Sequence, residues 1–120
     1  MSNTFCTAAL RTISIEQSAI ANLKHRIGDH FERACELLLN CQGHIVVIGM
    51  GKSGHIAGKL AATLASTGSP AFFVHPGEAS HGDLGMITTS DVILALSYSG
   101  TTAEIVTLLP PLQHLGIPLV

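Results

Sequence analysis

Apolar positions in the first third of the chain recur at helical spacing. Ile13, Ile20, Leu23 and Ile27 share one face, which predicts a helix from about Ser14 to Ile27. Ser14 with Gln17 fits a capping box at its start, and Gly28 supplies the stop. Asp29, with Glu32 three residues on, predicts the cap of a second helix. There Phe31, Ala34, Cys35, Leu38 and Leu39 give the stripe of a helix packed on a core, ended by Gly43.

Beyond Gly43 the pattern alternates between short apolar runs and helical segments. "HIVVIG" is continuous and apolar, as in a strand buried on both faces of a parallel sheet. "SGHIAGKLAATLAST", Ser53 to Thr67, predicts a helix whose glycines and alanines allow close packing. "AFFVH" and "DVILALS" predict two further strands, with a long loop between them. Ile105, Leu108, Leu109, Leu112 and Leu115 predict a helix from Thr102 to Leu115, bent where Pro110-Pro111 interrupts it. "IPLV" opens a fourth strand, and the sequence stops inside it. This order predicts an α/β doubly wound fold on a parallel sheet, with the sheet left unfinished in a piece of a longer protein. The expected organisation is an N-terminal helical segment over 1–28 and one α/β domain over 29–120.

Composition narrows the partners. Of the 120 residues, 47% are hydrophobic and only 12% charged, with a formal net charge of −2, which suits a folded domain rather than a disordered tail. No cluster of Lys or Arg exists to neutralise several phosphates of a duplex, so nucleic acid is excluded as a partner. The N-terminal "MSNTFCTAALRT" lacks a signal peptide's pattern, and no apolar run has the length of a membrane span. Cys6, Cys35 and Cys41 form no CxxC pair and read as reduced thiols, giving a cytoplasmic expectation with no membrane partner.

The candidate chemistry lies in two turns. "IGMGKSGH", Ile48 to His55, sets Gly49, Gly51 and Gly54 at the G-x-G-x-x-G spacing between a strand and a helix. A dinucleotide site also needs an acidic residue at the tip of the second strand, where His75 stands instead. A triphosphate loop would need glycine at position 46, which is Val46. The second turn, "SYSGTTAE", gathers Ser97, Ser99, Thr101 and Thr102 around a glycine where the third strand meets its helix. Hydroxyls and free amides at a helix start hold one phosphate group without arginine. Both turns fall at the carboxyl edge of the sheet, where ligands of such folds bind. A single hydroxyl would suffice for an ordinary cap, so four of them, facing a loop that carries Ser53, favour a phosphate pocket.

"GMGKSGHIAGKLAATLASTGSPAFFVHPGEASHGDLGMI" followed by "SYSGTTAEI" resembles the sugar isomerase (SIS) domain, and within it the D-arabinose-5-phosphate isomerases of lipopolysaccharide and capsule precursor synthesis. The resemblance runs from about Asp29 to the end. It implies a three-layer α-β-α sandwich with a parallel flavodoxin-like sheet, and a homo-oligomer (dimer or tetramer) with sites between subunits. The implied reaction interconverts D-ribulose 5-phosphate and D-arabinose 5-phosphate through an enediol, with no cofactor required.

The same resemblance gives the residues their roles. Lys52 matches a functional lysine that could touch the phosphate or steady the enediolate charge. Glu104 matches an acidic residue implicated in catalysis, although a carboxylate in a first helical turn also serves the dipole. His81 is the candidate for proton transfer or ring opening. Substrate and phosphate contacts fall to Ser53, Ser97, Ser99, Thr101, Thr102 and His75. Thr101 departs from the acidic residue that the family often carries there. His75 could instead capture an incidental or inhibitory zinc. Gly68 and Ser69 form a turn on the opposite edge that the family brings to a neighbouring subunit's site. His55 is expected to pack, and His25, His30, His44 and His114 carry no motif. The family also uses a glutamate and a histidine beyond position 120, so the 120 residues alone are expected to bind sugar phosphate and turn it over poorly or not at all. The competing expectation is a non-catalytic sugar-phosphate sensor, as SIS domains are in some transcription regulators; the segment before Asp29 is too short and weakly charged for a helix-turn-helix module.

Overall fold

The computed structural model describes residues 3–120. The chain divides into two compact units, Met1–Cys35 and Glu36–Val120.

The first unit is helical. α1 spans Thr4–Leu23, longer than the spacing predicted, and a 3₁₀ turn covers Lys24–Arg26. The cap is Asn3, whose side chain accepts from the Cys6 amide at 3.3 Å. Ser14 lies mid-helix and donates to the Leu10 carbonyl, so the expected capping box does not form. From Thr4 to Leu23 there is no glycine or proline to stop the helix, which is why it starts ten residues early. Ile27 is already extended, ahead of the Gly28 stop. None of the α1 side chains is buried.

α2 spans Asp29–Leu39 and crosses into the second unit. Asp29 sits in its first turn rather than at the cap, and the Glu32 amide bonds to the Gly28 carbonyl. Of the expected core stripe, Leu38 packs on the sheet's apolar layer, while Phe31, Cys35 and Leu39 are exposed. The sheet face meant for that stripe is covered by Ala57, Leu60, Ala61 and Leu64 of the next helix.

In the second unit β1 (Ile45–Gly49), β2 (Ala71–Val74) and β3 (Val92–Leu96) form a parallel sheet in the order β2-β1-β3. Pro118–Val120 adds to the free side of β3, with Val120 N–H on the Ile93 carbonyl and Ala95 N–H on the Val120 carbonyl. The fourth strand therefore begins where "IPLV" predicts it. β1 is central and wholly buried, and its side chains alternate between two layers. Val46 and Ile48 join Val74, Ile93, Ile105, Leu108, Leu112 and Ile117 on one face. Ile45 and Val47 join Ala57 and Ala61 on the other. Alternation between two covered faces is the three-layer α/β arrangement that the sequence predicts.

α3 (Gly51–Ser66) lies against β1 and β2 through Gly54, Ala57 and Ala61. A Cβ on Gly54 would come within 2.7 Å of the Gly49 carbonyl oxygen, so only glycine permits this approach. The long connection after β2 is partly ordered: α4 (Pro76–Ser80) and a 3₁₀ turn at Asp83–Met86 occupy it. The expected bent helix after β3 is two, α5 (Ala103–Val106) and α6 (Leu109–His114). Pro110 and Pro111 stand in the first turn of α6, where a missing N–H leaves no bond unmade, so the break precedes them. Among the described residues no helix is long and apolar enough to cross a membrane. All three cysteines are free thiols.

Candidate functional site

Strand order reverses at β1, since β2 lies on one side and β3 on the other. At the carboxyl ends of β1 and β3 a cleft of about 570 Å³ opens, lined by Lys52, Ser53, Ile56, Leu96, Ser97 and Tyr98. This is where a parallel α/β sheet offers a ligand crevice. A hollow beside α1, lined by Thr7, Arg11 and Ile15 among others, is walled by that helix alone and brings no groups from separate elements together.

One wall is the start of α3. Met50 precedes it in extended conformation and gives it no side-chain cap. The first-turn amides of a sixteen-residue helix therefore carry the positive end of its dipole toward the cleft. Lys52 is exposed there and Ser53 half-buried.

The opposite wall is the end of β3 with Ser97 and Tyr98, the first residues of the turn that follows. Ser99, Thr101, Thr102 and Glu104 lie farther along and do not line the cleft, and the turn is held by its own hydroxyls. Ser97 Oγ accepts from the Gly100 amide at 2.9 Å and lies 2.7 Å from Thr102 Oγ1. Ser99 Oγ accepts from the Thr101 amide at 3.1 Å. Gly100 has φ +72°, which a side chain would resist, and this lets the turn close. A hydroxyl that accepts from an amide keeps its own proton to donate. Ser99 keeps one, and of the two protons in the Ser97–Thr102 contact only one is consumed by the pair. The turn thus spends lone pairs on itself and retains donors suited to an anion. Thr101 is exposed, Thr102 half-buried, and Glu104 exposed in the first turn of α5.

The remaining candidates stand apart from this cleft. His75 and His81 flank α4 at the same sheet edge, after β2, and both are exposed. His75 caps α4, its Nδ1 accepting from the Gly77 amide at 3.1 Å. Nδ1 therefore bears no proton, and in the neutral ring the proton is on Nε2. A ring that bound a metal through Nε2 would need its proton on Nδ1, so this cap and zinc ligation by His75 exclude one another. Among the described residues no three His, Cys, Asp or Glu side chains converge as a metal-binding group. Gly68 and Ser69 lie at the amino edge, where they end α3 and line a small pocket with Cys41 and Gly43. His55 is exposed rather than packed.

Three features escaped the sequence reading. Ile56 and Tyr98 line the cleft; Ile56 falls one turn after Ser53, and Tyr98, the chain's single tyrosine, stands between two serines of the turn. Asp91, 2% exposed, is the third and lies at the amino edge. Burial pushes its carboxyl up, but amides of His44 and Thr88, each at 2.7 Å, stabilise the anion and hold it below the ordinary aspartate value. Its role is to tie β3's start to β1's.

With that geometry in place, the sequence matches the SIS domain over residues 38–120. The chain belongs to the SIS domain family. This SIS domain is 65% identical over 116 residues to the arabinose 5-phosphate isomerase KdsD of Pseudomonas aeruginosa, covering 97% of this chain and 36% of the relative. It is 53% identical to the KdsD of Escherichia coli K12, covering 97% and 35%. The chain thus spans about a third of the length of these curated relatives. Among solved structures, E. coli CFT073 c3406 in complex with arabinose 5-phosphate superposes with a TM-score of 0.88 at 46% identity, covering 99% of this chain and 64% of that one.

Proposed function

We propose that the protein is an aldose–ketose isomerase interconverting D-ribulose 5-phosphate and D-arabinose 5-phosphate. The observation that carries this reading is the cleft at the strand-order reversal, with an uncapped helix start on one wall and hydroxyl donors on the other. The 65% identity to a protein named arabinose 5-phosphate isomerase supports it, as does the similarity to a structure holding the pentose phosphate itself.

In this mechanism the phosphate monoester is held by Ser53, Ser97, Ser99, Thr101 and Thr102 together with first-turn amides. Binding energy from that remote group positions C1 and C2 for proton transfer. A base moves the proton between the two carbons through an enediol, and Lys52 stabilises the oxyanion that develops. Glu104 and His81 are the acid–base candidates, and His75 touches substrate or orders the loop that does. Gly68 and Ser69 contribute from a neighbouring subunit. No cofactor is required, because the electrons stay within the sugar. The product would enter Kdo synthesis for lipopolysaccharide or capsule in the cytoplasm. Exposed Phe5, Leu10, Ile20 and Leu23 on α1 support assembly as a homo-oligomer, a dimer or tetramer.

A second reading has one observation in its favour. Of Lys52, Glu104 and His81, only Lys52 lines the cleft, which is what a non-catalytic sugar-phosphate sensor would also show. A coupled assay of ribulose 5-phosphate conversion by the full-length protein, with calorimetry on the same sample, separates the two. Turnover to arabinose 5-phosphate is expected. Tight pentose-phosphate binding without turnover would transfer the assignment to the sensor, and absence of both would end the sugar-phosphate reading.

A further inference from the structure

We propose that Tyr98 is the residue that tells a sugar phosphate from bare phosphate: its ring is the platform on which the carbon chain of the bound sugar rests. The proposal deepens the sugar-phosphate reading above and rests on it for the class of ligand. Tyr98 is the chain's single tyrosine, and it stands fully exposed. Among the described residues its hydroxyl has no hydrogen-bond partner and its ring no aromatic one. An aromatic side chain of this size ordinarily dominates a core or a contact, and left wholly in water it stabilises nothing in the chain itself. Its backbone is nevertheless tied on both sides. Ser97, just before it, accepts from the Gly100 amide at 2.9 Å, and Ser99, just after it, accepts from the Thr101 amide at 3.1 Å. An unpartnered ring on a held backbone is arranged in advance for a ligand.

The lining of the cleft says what kind of ligand. A site for phosphate alone needs only donors, and Lys52, Ser53 and Ser97 supply them. This cleft adds carbon to them. Ile56, Leu96 and Tyr98 also line it, and Ile56, three residues after Ser53, is 61% exposed. At about 570 Å³ the cleft has room beyond one phosphate group. A pentose 5-phosphate divides in the same way. Its monoester is an anion that wants donors, whereas its carbon chain presents C–H groups as well as hydroxyls. C–H groups carry slight positive charge and pack on the negative face of an aromatic ring. Apolar and aromatic walls joined to a few fixed polar groups are the usual make-up of a small-molecule site. With the phosphorus beside Ser53 and Ser97, the carbons nearest the phosphate come against the Tyr98 ring. Those are not the carbons between which the proton moves, so the contact is made alike in ground state and transition state.

Steady-state kinetics and calorimetry of the full-length protein test this through Tyr98→Ala and Tyr98→Phe. Ribulose 5-phosphate and arabinose 5-phosphate probe the whole site, and inorganic phosphate, as ligand and inhibitor, probes the phosphate donors alone. Tyr98→Ala is expected to raise KM and the Kd of arabinose 5-phosphate about tenfold, with KM rather than kcat carrying the loss. The affinity for inorganic phosphate should change by no more than about twofold, because the donors stay in place. Tyr98→Phe keeps the ring and should recover most of the lost affinity. A Phe variant as weak as the Ala variant would overturn the platform and make the hydroxyl the contact. Equal losses for pentose phosphate and inorganic phosphate would overturn it too, as would a Tyr98→Ala protein with wild-type affinity for the sugar. A second readout does not depend on turnover. Nitration by tetranitromethane, located by mass spectrometry on the peptide that carries Tyr98, should proceed in the free protein. Saturating arabinose 5-phosphate should suppress it, and inorganic phosphate should not. Failure of the sugar to protect would refute the proposal. So would a ring already shielded without ligand, since a second copy or another part of the chain would then cover it. Were arabinose 5-phosphate to shield Tyr98 in a protein that turned over no pentose phosphate, the isomerase reading would fail and the platform would stand.

Discussion

Ser97 and Thr102 hold their hydroxyl oxygens 2.7 Å apart across the turn after β3. Only one of their two protons can lie between those oxygens, so the pair presents the other outward whichever residue donates. Because Ser97 Oγ also accepts from the Gly100 amide, its removal orphans a donor as well as losing one. Ser97→Ala is therefore expected to weaken pentose-phosphate binding about tenfold or more, in line with about 1.5–3 kcal/mol for a hydrogen bond to a charged group. Thr102→Val, which leaves the Gly100 bond intact, should cost less. Calorimetry of both variants checks the order. Equal losses would mean that the hydroxyl pair, not the Gly100 bond that shapes the turn, is what the phosphate needs.

Gly54 sits against Gly49 where α3 leaves β1. A methyl group there meets the Gly49 carbonyl oxygen at 2.7 Å, backbone that cannot rotate away. Gly54→Ala should destabilise the fold by about 1–3 kcal/mol, as overpacking does, and lower Tm by several degrees. It should also raise KM, since the start of α3 that faces the cleft must shift. A melt unchanged from wild type would show that the helix yields freely at this point.

The glycine spacing shows how far such relationships could be read in advance. Gly49, Gly51 and Gly54 mark a strand–turn–helix whatever the ligand, because close approach of two backbones demands the first and last and a φ of +56° the middle one; the fold class followed from that and from unbroken apolar runs such as "HIVVIG". The N-terminal helices were less legible. Ser14 and Gln17 look like a cap, yet nothing upstream stops the helix before Asn3, and local hydrogen-bond signals lose to an uninterrupted run. Pro110-Pro111 marked the right region but on the wrong side of the break. In the site, hydroxyl-rich Ser97 to Thr102 announced itself by composition, whereas Ile56 and Tyr98 did not. An apolar side chain beside a polar loop has no signature until the sheet brings two connections together. Asp91 was invisible for the same reason, its partners being 47 residues away at His44 and local at Thr88.

Asp91 gives a pH dependence with a definite sign. Its folded carboxyl titrates below the ordinary aspartate value, so the anion stabilises the fold at neutral pH. That contribution is present above the unfolded value, about 3.9, and is lost as pH falls through the lower folded value. Asp91→Asn should remove it by replacing an acceptor with an amide that can accept at only one end, costing about 1–3 kcal/mol. Urea unfolding at pH 7 and at pH 3 measures it. The gap between wild type and variant should narrow in acid, and a gap independent of pH would assign the loss to packing against Gly43 instead.

Chelation bears on the histidines. His75 spends its Nδ1 lone pair on the Gly77 amide, and no third donor joins it and His81 among the described residues. Prolonged dialysis of the full-length protein against EDTA is expected to leave turnover unchanged or raise it. A loss restored by zinc would show a resident metal and a different tautomer at His75.

Among the described residues Lys52 is the one cationic side chain that lines the cleft, standing in the first turn of α3 beside Ser53. Two roles are open to such a group, and they differ in what they do to rate. A lysine that only gripped the phosphate would bind ground state and transition state alike, so its loss would raise KM and spare kcat. A lysine aimed at the oxygen where enediolate charge develops would matter mainly in the transition state. The helix start and the Ser97 turn already supply donors for a monoester without it, which leaves Lys52 for the second task. Lys52→Ala is accordingly expected to lower kcat about a hundredfold or more, in the range seen when one oxyanion donor is removed, with KM changed by much less. Lys52→Arg keeps the charge but not its compact placement, and should recover only part of the rate. Steady-state kinetics on the three proteins decides between the roles. A large rise in KM with wild-type kcat would return Lys52 to the phosphate and leave the stabilisation of the enediolate to Glu104's neighbourhood or His81.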